Sequence, residues 1–287
     1  MGGNLFKKKC EPIILKDAVT VVPEIIESIK KEFPEKIILP VGSAGFKETS
    51  SDIDIAVECS SIDDLKDIIR ASFDAKLYTM ESFYIVATPF KYMSSDGNEK
   101  YVSVDFIQMW NPIYTHFRYK SPNYLKDESR YKVGTKIMMV GDLLRLSPAC
   151  QKDIPAGCIA WMDYSPIGLY QNVFNEKDTD CYMRRFLTDD PQEIVNLIIK
   201  DNGQLCDFDT VESIWKAIHE KPLTGGERML KDFELSFFVN CYRKSWEAQV
   251  NPKDFYIRYW TLDEIYKELE KQIPVRQANK LLDLIQA

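Results

Sequence analysis

The sequence predicts an α/β (α+β) fold, a mixed sheet with flanking helices followed by a helical C-terminal domain. Three observations carry this. An amphipathic helical pattern over residues 17–33 leads into two short strand-like runs; a strong turn cluster at 94–98 joins two longer strand-like runs; and three helix starts are signposted after residue 190 with no long alternating run among them. We divide the chain into a sheet domain (1–146), an irregular connection (147–190) and a helical domain (191–287).

The elements follow in order. Ala18, Val22, Ile25, Ile26, Ile29 and Phe33 recur at helical spacing, and Pro34 stops the pattern. Residues 36–41 then read as a short buried strand, and 52–57 as a second in which carboxylates alternate with apolar residues. Ile62, Leu65, Ile68 and Ile69 mark a second helix, followed by strand-like runs at 76–79, 83–90 and 101–109. The cluster Ser94-Ser95-Asp96-Gly97-Asn98 makes the last two a hairpin. From 147 to 190 periodicity is lost while Pro148, Pro155, Gly157, Pro166 and Gly168 accumulate, hence the irregular connection. Asp190-Pro191 with Glu193, Asp209 to Glu212, and Thr261 to Glu264 each combine an N-cap residue with an acid in the first turn. Val211, Ile214, Trp215 and Ile218 form one apolar helix face, and Ile265, Tyr266 and Leu269 another. The run Phe233, Phe237, Phe238 and Tyr242 reads as core.

Composition narrows the function classes. With 37 basic against 44 acidic residues, a net charge of -7 and a pI near 5.1, the overall field does not suit a protein that coats nucleic acid, which leaves only a local basic patch for that role. The seven cysteines form no C-x-x-C pair, so neither a zinc site nor a disulfide framework is expected, and a reducing, cytoplasmic setting fits. His116 and His219 stand far apart without metal-binding spacing and read as ordinary residues. Lys7-Lys8-Lys9 is followed at once by Glu11 and Pro12 rather than an apolar run, and Phe6 occupies the position where a myristoylation signal needs Ser or Thr. No secretion signal and no membrane partner are expected.

The chemistry is concentrated in VGSAGFKETSSDIDIAV, residues 41–57. A strand ends in Gly42-Ser43, a small-residue turn whose backbone N–H groups can approach an anion closely. Residues two apart on a strand share a face, so Asp52 and Asp54 present their carboxylates together while Ile53, Ile55 and Val57 face the core. Two adjacent carboxylates repel unless cations sit between them, and an all-oxygen donor set suits Mg²⁺ or Mn²⁺. On the second hairpin arm, Val102, Val104 and Phe106 share one face and Asp105 takes the other. If that strand lies beside the Asp52/Asp54 strand, three carboxylates converge as a ligand set for two metal ions.

This pattern, Gly-Ser, then Asp-x-Asp on a strand, then a later Asp on a neighbouring strand, resembles the nucleotidyltransferase superfamily, and Lys47 to Asp54 is similar in wording to the palm of DNA polymerase beta-like enzymes. The resemblance covers about residues 36–110, a quarter of the chain, with a span between Ser43 and Asp52 shorter than in those polymerases. It implies a palm-like mixed sheet and a metal-dependent transfer of a nucleoside monophosphate from a nucleoside triphosphate, ATP among them, to an acceptor hydroxyl, with release of pyrophosphate. It further implies that Gly42 and Ser43 hold the β- and γ-phosphates, that Asp52 and Asp54 bridge two Mg²⁺ or Mn²⁺ ions, and that Asp105 binds the one that activates the acceptor. Ser51 joins the nucleotide contacts, and Lys47 reads either as a triphosphate contact or as a surface lysine.

The acceptor is sought elsewhere in the chain. Residues 116–136 interleave Arg118, Lys120, Lys126, Arg130, Lys132 and Lys136 with aromatic residues, although Asp127 and Glu128 dilute the charge. Arg130, Lys132 and Lys136 are the candidate contacts to an RNA or DNA end or to the nucleotide, against the alternative of a solvated loop and helix start. Arg184-Arg185 read as a solvated pair. A nucleic-acid end is the first expected acceptor; a protein or small-molecule hydroxyl, or a non-catalytic nucleotide- or partner-binding module, is the alternative.

Overall fold

The computed structural model describes residues 6, 9–73, 78–79, 84–175, 181–243, 259–272, 279 and 282. Strand β1 (Ile13–Ile14) runs into helix α1 (Leu15–Glu32), whose buried Ala18, Val21, Ile25 and Ile29 recur at helical spacing as the sequence predicts. There follow β2 (Ile38–Val41), β3 (Thr49–Ser50), β4 (Asp52–Glu58), α2 (Ile62–Ser72), β5 (Tyr78–Thr79), β6 (Ile85–Met93) and β7 (Glu99–Met109). The Ser61 hydroxyl caps α2 by accepting from the Asp64 N–H. Lys76 and Leu77, part of the predicted run at 76–79, lie outside the described residues.

Five strands form one mixed sheet in the order β2-β4-β7-β6-β5, with β4 and β7 parallel and every other neighbour antiparallel. One face carries Ile53, Ile55, Val57, Val102, Val104 and Phe106, all buried against α1 and α2 in a single cluster. Each such side chain contributes about 1.5–3 kcal/mol on burial. The opposite face holds Val41, Ala56, Ile107 and Met109 under Tyr119. The hairpin turn is closed by Ser94 N–H to the Asn98 carbonyl (2.9 Å) and Gly97 N–H to the Ser94 carbonyl (2.9 Å), with Gly97 at φ +82°. The buried Asp17 carboxylate ties that turn to α1, accepting from the Ser94 hydroxyl (2.7 Å) and the Ser95 N–H (2.9 Å).

Helix α3 (Pro112–Tyr119), capped by the Asn111 side chain, a short 3₁₀ turn (Tyr124–Lys126) and α4 (Val133–Leu146) come next. The expectation of an irregular connection from 147 to 190 is corrected. After a 3₁₀ turn (Pro148–Gln151), β8 (Cys158–Ser165), β9 (Gly168–Asn175) and β10 (Cys181–Thr188) form a three-stranded sheet in the order β10-β9-β8. Only Pro166 and Ile167 join β8 to β9, too short a connection for anything but an antiparallel pair. Ala160, Met162 and Tyr164 alternate inward as in any half-buried strand, but Ile159 and Trp161 point outward and are exposed. Large apolar residues on both faces erase the polar–apolar alternation by which a strand is recognised.

The predicted helix starts hold: α5 (Pro191–Ile198), α6 (Val211–Glu220) and α8 (Leu262–Gln272), with α7 (Gly226–Arg243) and a 3₁₀ turn (Leu205–Phe208) between them. Phe233, Phe237 and Phe238 are core, with the first two rings stacked 5.5 Å apart and Trp215 against both. Tyr242, assigned to the same core, has a side chain outside the described ones. The chain forms two compact units, one of residues 1–137 with 165–169 and 187–191, the other of 138–164, 170–186 and 192–287. The second unit is therefore mixed rather than all-helical, since it includes most of the three-stranded sheet.

Candidate active site

The site follows from register. Asp54 on β4 stands directly opposite Asp105 on β7, and Asp52 opposite Ser103. Partners in a parallel pair share a face, so Asp52, Asp54 and Asp105 all leave the sheet on the side away from α1 and α2. The neighbour of Asp105 on its other flank is Ala87, small enough to leave the carboxylate uncrowded. Asp52 and Asp105 are buried and Asp54 half-buried. The Ser51 hydroxyl donates to Asp52 Oδ1 (3.1 Å), and the Ser103 hydroxyl lies 3.5 Å from Asp105 Oδ1. Ser103 was not singled out from sequence, although its position two residues before Asp105 on the same face was a usable signal.

Gly42 ends β2 at φ +70° and is a glycine for two reasons. The left-handed backbone favours it, and a Cβ there would meet Asp54 Oδ2 at 2.0 Å and Asp54 Cγ at 2.9 Å. The Asp54 carboxylate thus occupies the space that a side chain at residue 42 would need. Beyond it the turn is held by the Phe46 N–H on the Ser43 carbonyl (3.0 Å) and by a hydroxyl contact between Ser43 and Ser50 (3.2 Å). It is also tied back through a β1–β3 ladder in which Ile13 faces Ser50 and Ile14 faces Thr49. So Gly42, Ser43, Ser50 and Asp54 are brought together, with Ser51 and Asp52 next in the chain.

Charge within this group is unbalanced. Burial, then the neighbouring charges of Asp52 and Asp105, push the Asp54 carboxyl well above the usual carboxylate range. Lys47 is half-buried with its ammonium 4.5 Å from the centre of the Tyr124 ring. Burial lowers its pKa, as does the charge of Lys132, while Asp52 raises it. Lys132 and Asp52 thus each sit within electrostatic reach of Lys47, and a second cation near Lys47 favours an anionic visitor.

The basic stretch divides. Arg130 and Lys132 are exposed, with the Arg130 guanidinium over the Tyr131 ring (5.1 Å). Lys136 is buried, and its ammonium donates to the carbonyls of Phe117 (3.0 Å) and Lys120 (3.0 Å), which closes the C-terminal end of α3. Arg118 is also buried, donating from Nε to the Ser165 carbonyl (3.1 Å). These two cations hold the fold together, and the interleaved spacing that suggested one binding surface mixes internal with external side chains. Arg184, read as half of a solvated pair, bonds Asp163 (2.8 Å).

Among the described residues, no three His, Cys, Asp or Glu side chains are already closed around one point as a metal cage. The donors fit a hard divalent cation nonetheless: they are all carboxylate oxygens, they carry mutual repulsion that a cation relieves, and the Gly42 backbone makes room for one of them. No helix among the described residues is long and apolar enough to cross a membrane. No family model matches the chain, and no curated protein matches it.

Proposed function

We propose that the chain is a metal-dependent nucleotidyltransferase that moves a nucleoside monophosphate from a nucleoside triphosphate to an acceptor hydroxyl. The observation that carries this reading is the in-register pairing of Asp54 with Asp105 on parallel strands, with Asp52 on the same face and the Gly42 backbone against Asp54. Asp52, Asp54 and Asp105 hold Mg²⁺ or Mn²⁺, which when bound lowers the pKa of the acceptor hydroxyl and neutralises the leaving pyrophosphate. The backbone at Gly42 and the Ser43 hydroxyl receive the phosphates, and Lys47, close enough to Asp52 to feel its charge, supplies positive charge with Lys132 behind it. Asp105, steadied by Ser103, orients the acceptor side of the site. In the reaction the acceptor oxygen bonds to the α-phosphorus, the bond from that phosphorus to the oxygen it shares with the β-phosphorus breaks so that pyrophosphate departs, and the hydroxyl proton passes to water.

A nucleic-acid end is the favoured acceptor, supported by exposed Arg130 and Lys132. Burial of Arg118 and Lys136 shrinks that cationic surface, and this favours as second reading a protein or small-molecule hydroxyl. The test incubates wild type and Asp105→Asn with each α-labelled nucleoside triphosphate, Mg²⁺, and a mixture of RNA, DNA and cell protein. Label in one fraction with wild type alone supports the reading and names the acceptor class. Equal labelling by the Asn variant, or no Mg²⁺-dependent thermal shift of wild type with any nucleotide, sinks it.

A further inference from the structure

The ammonium of Lys47 rests on an aromatic face rather than on a carboxylate. Its Nζ lies 4.5 Å from the centre of the Tyr124 ring, and Asp52 acts on it through charge, without a hydrogen bond between the two. The difference matters for a cation that has to meet an anion. A carboxylate partner would cancel the charge and have to be displaced when a phosphate arrived. The negative face of a ring holds an ammonium and leaves its net charge in place.

The contact is built from both sides. The Tyr124 N–H donates to the Phe46 carbonyl (3.1 Å), so the turn that carries the ring is bonded to the residue just before Lys47. On the other flank the Glu48 carbonyl accepts from the Leu15 N–H (2.8 Å) at the start of α1, which places Lys47 between two anchored backbone positions. The Tyr124 turn is closed on itself. The Asn123 side chain accepts from the Leu125 N–H (3.1 Å), the Asn123 carbonyl accepts from the Lys126 N–H (3.1 Å), and the Glu128 carboxylate accepts from the Asn123 N–H (2.7 Å). With both backbones fixed, what is left to order is the lysine stem, and the ring face restricts it. A stem already held gives up less rotamer freedom when it meets a ligand, so preorganisation is read as affinity. We propose that Tyr124 is a positioning residue that holds the Lys47 ammonium ready for the triphosphate of the incoming nucleotide. This role rests on the transferase reading.

Two measurements on the full chain test it, and the first needs no nucleotide. With lysine isotope-labelled at Cε, the Lys47 Hε resonance, identified by its loss in Lys47→Gln, is expected to lie upfield in wild type because the ring face shields it. It is expected to stay there in Tyr124→Phe and to join the exposed lysines in Tyr124→Leu, with Tyr124→Met taking its place should Tyr124→Leu not fold. The second is the Mg²⁺-dependent thermal shift with each nucleoside triphosphate. Tyr124→Leu is expected to weaken apparent affinity about 5-fold, and Tyr124→Phe to restore it to within about 2-fold. In the Lys47→Gln background the Leu substitution is expected to add less than about 2-fold, because the ring acts through the lysine, whereas a merely structural role would weaken both backgrounds alike. No upfield resonance in wild type, equal losses from Phe and Leu, the same loss from Leu with and without Lys47, or an undiminished shift in the folded Leu or Met variant overturns the positioning role alone. No Mg²⁺-dependent shift of wild type with any nucleotide refutes the transferase reading and this role with it.

Discussion

Replacing Gly42 by Ala probes the site through a single methyl group. The new Cβ would stand 2.0 Å from Asp54 Oδ2, where real Cβ atoms keep at least 3.0 Å, so the carboxylate must retreat by about 1 Å or more. The backbone at φ +70° adds strain of about 1–2 kcal/mol for any residue with a Cβ. Gly45 supplies the control: it has φ +89° in the same turn, but a Cβ there meets nothing within 4 Å. Gly45→Ala therefore carries the strain without the displacement, and both variants are expected to lower Tm by about 2–6 °C. A displacement of about 1 Å at a reacting centre costs about 100-fold in rate, so transfer should fall by that factor in Gly42→Ala and by less than about 3-fold in Gly45→Ala. Calorimetry gives the first quantity and single-turnover transfer of α-labelled nucleotide the second. Mg²⁺-dependent stabilisation by nucleotide is a readout independent of turnover, expected to shrink only in Gly42→Ala. Equal effects of the two substitutions on transfer and on that stabilisation would refute the idea that Gly42 is a glycine for the sake of Asp54.

Three further outcomes follow from the same geometry. Because the Asp54 carboxyl is raised in the folded state, stability is greatest below the ordinary carboxylate pKa and is lost as pH rises through the folded value. Asp54→Asn should therefore raise stability near pH 7, by on the order of 1 kcal/mol, while abolishing transfer, and the gain should vanish in acid when thermal unfolding is followed against pH. At Asp17, burial raises the pKa but the Ser94 and Ser95 hydrogen bonds outweigh it and hold it low, so its contribution is present above the usual carboxylate pKa and is lost as pH falls through the folded one. Asp17→Ala should cost about 2–3 kcal/mol at pH 7 in urea titration and lose that acid sensitivity. Lys47→Gln should weaken the nucleotide-dependent thermal shift by about 10-fold in apparent affinity, with little change in the stability of the free protein.

Much of the first sheet was legible because its pattern is local. Ile53, Ile55 and Val57 alternate with Asp52 and Asp54, and the structure sends the two sets to opposite faces. The parallel pairing that puts Asp105 beside Asp54 is not legible in the same way, since pairing between distant segments leaves no mark in local periodicity. The β1–β3 ladder went unseen for the same reason, compounded by strands of two residues each. At β8 the failure was different. Ile159 and Trp161 occupy the solvent side of the strand, so the local pattern conflicts with burial. Lys136 shows a third limit: sequence gives a cation, but only packing reveals that its partners are the carbonyls of Phe117 and Lys120.

The pairing of β4 with β7 also bears on how the sheet comes into being. Asp54 and Asp105 are separated by 51 positions (105 − 54), so their ladder closes a long loop that contains α2, β5 and β6. That closing step brings like charges together while burying them, so the repulsion between Asp54 and Asp105 opposes completion of the ladder. A proton on Asp54 relieves that repulsion, and a divalent ion held as proposed above would do the same. The pH of the surrounding medium thus bears on how readily the sheet is completed, through two side chains.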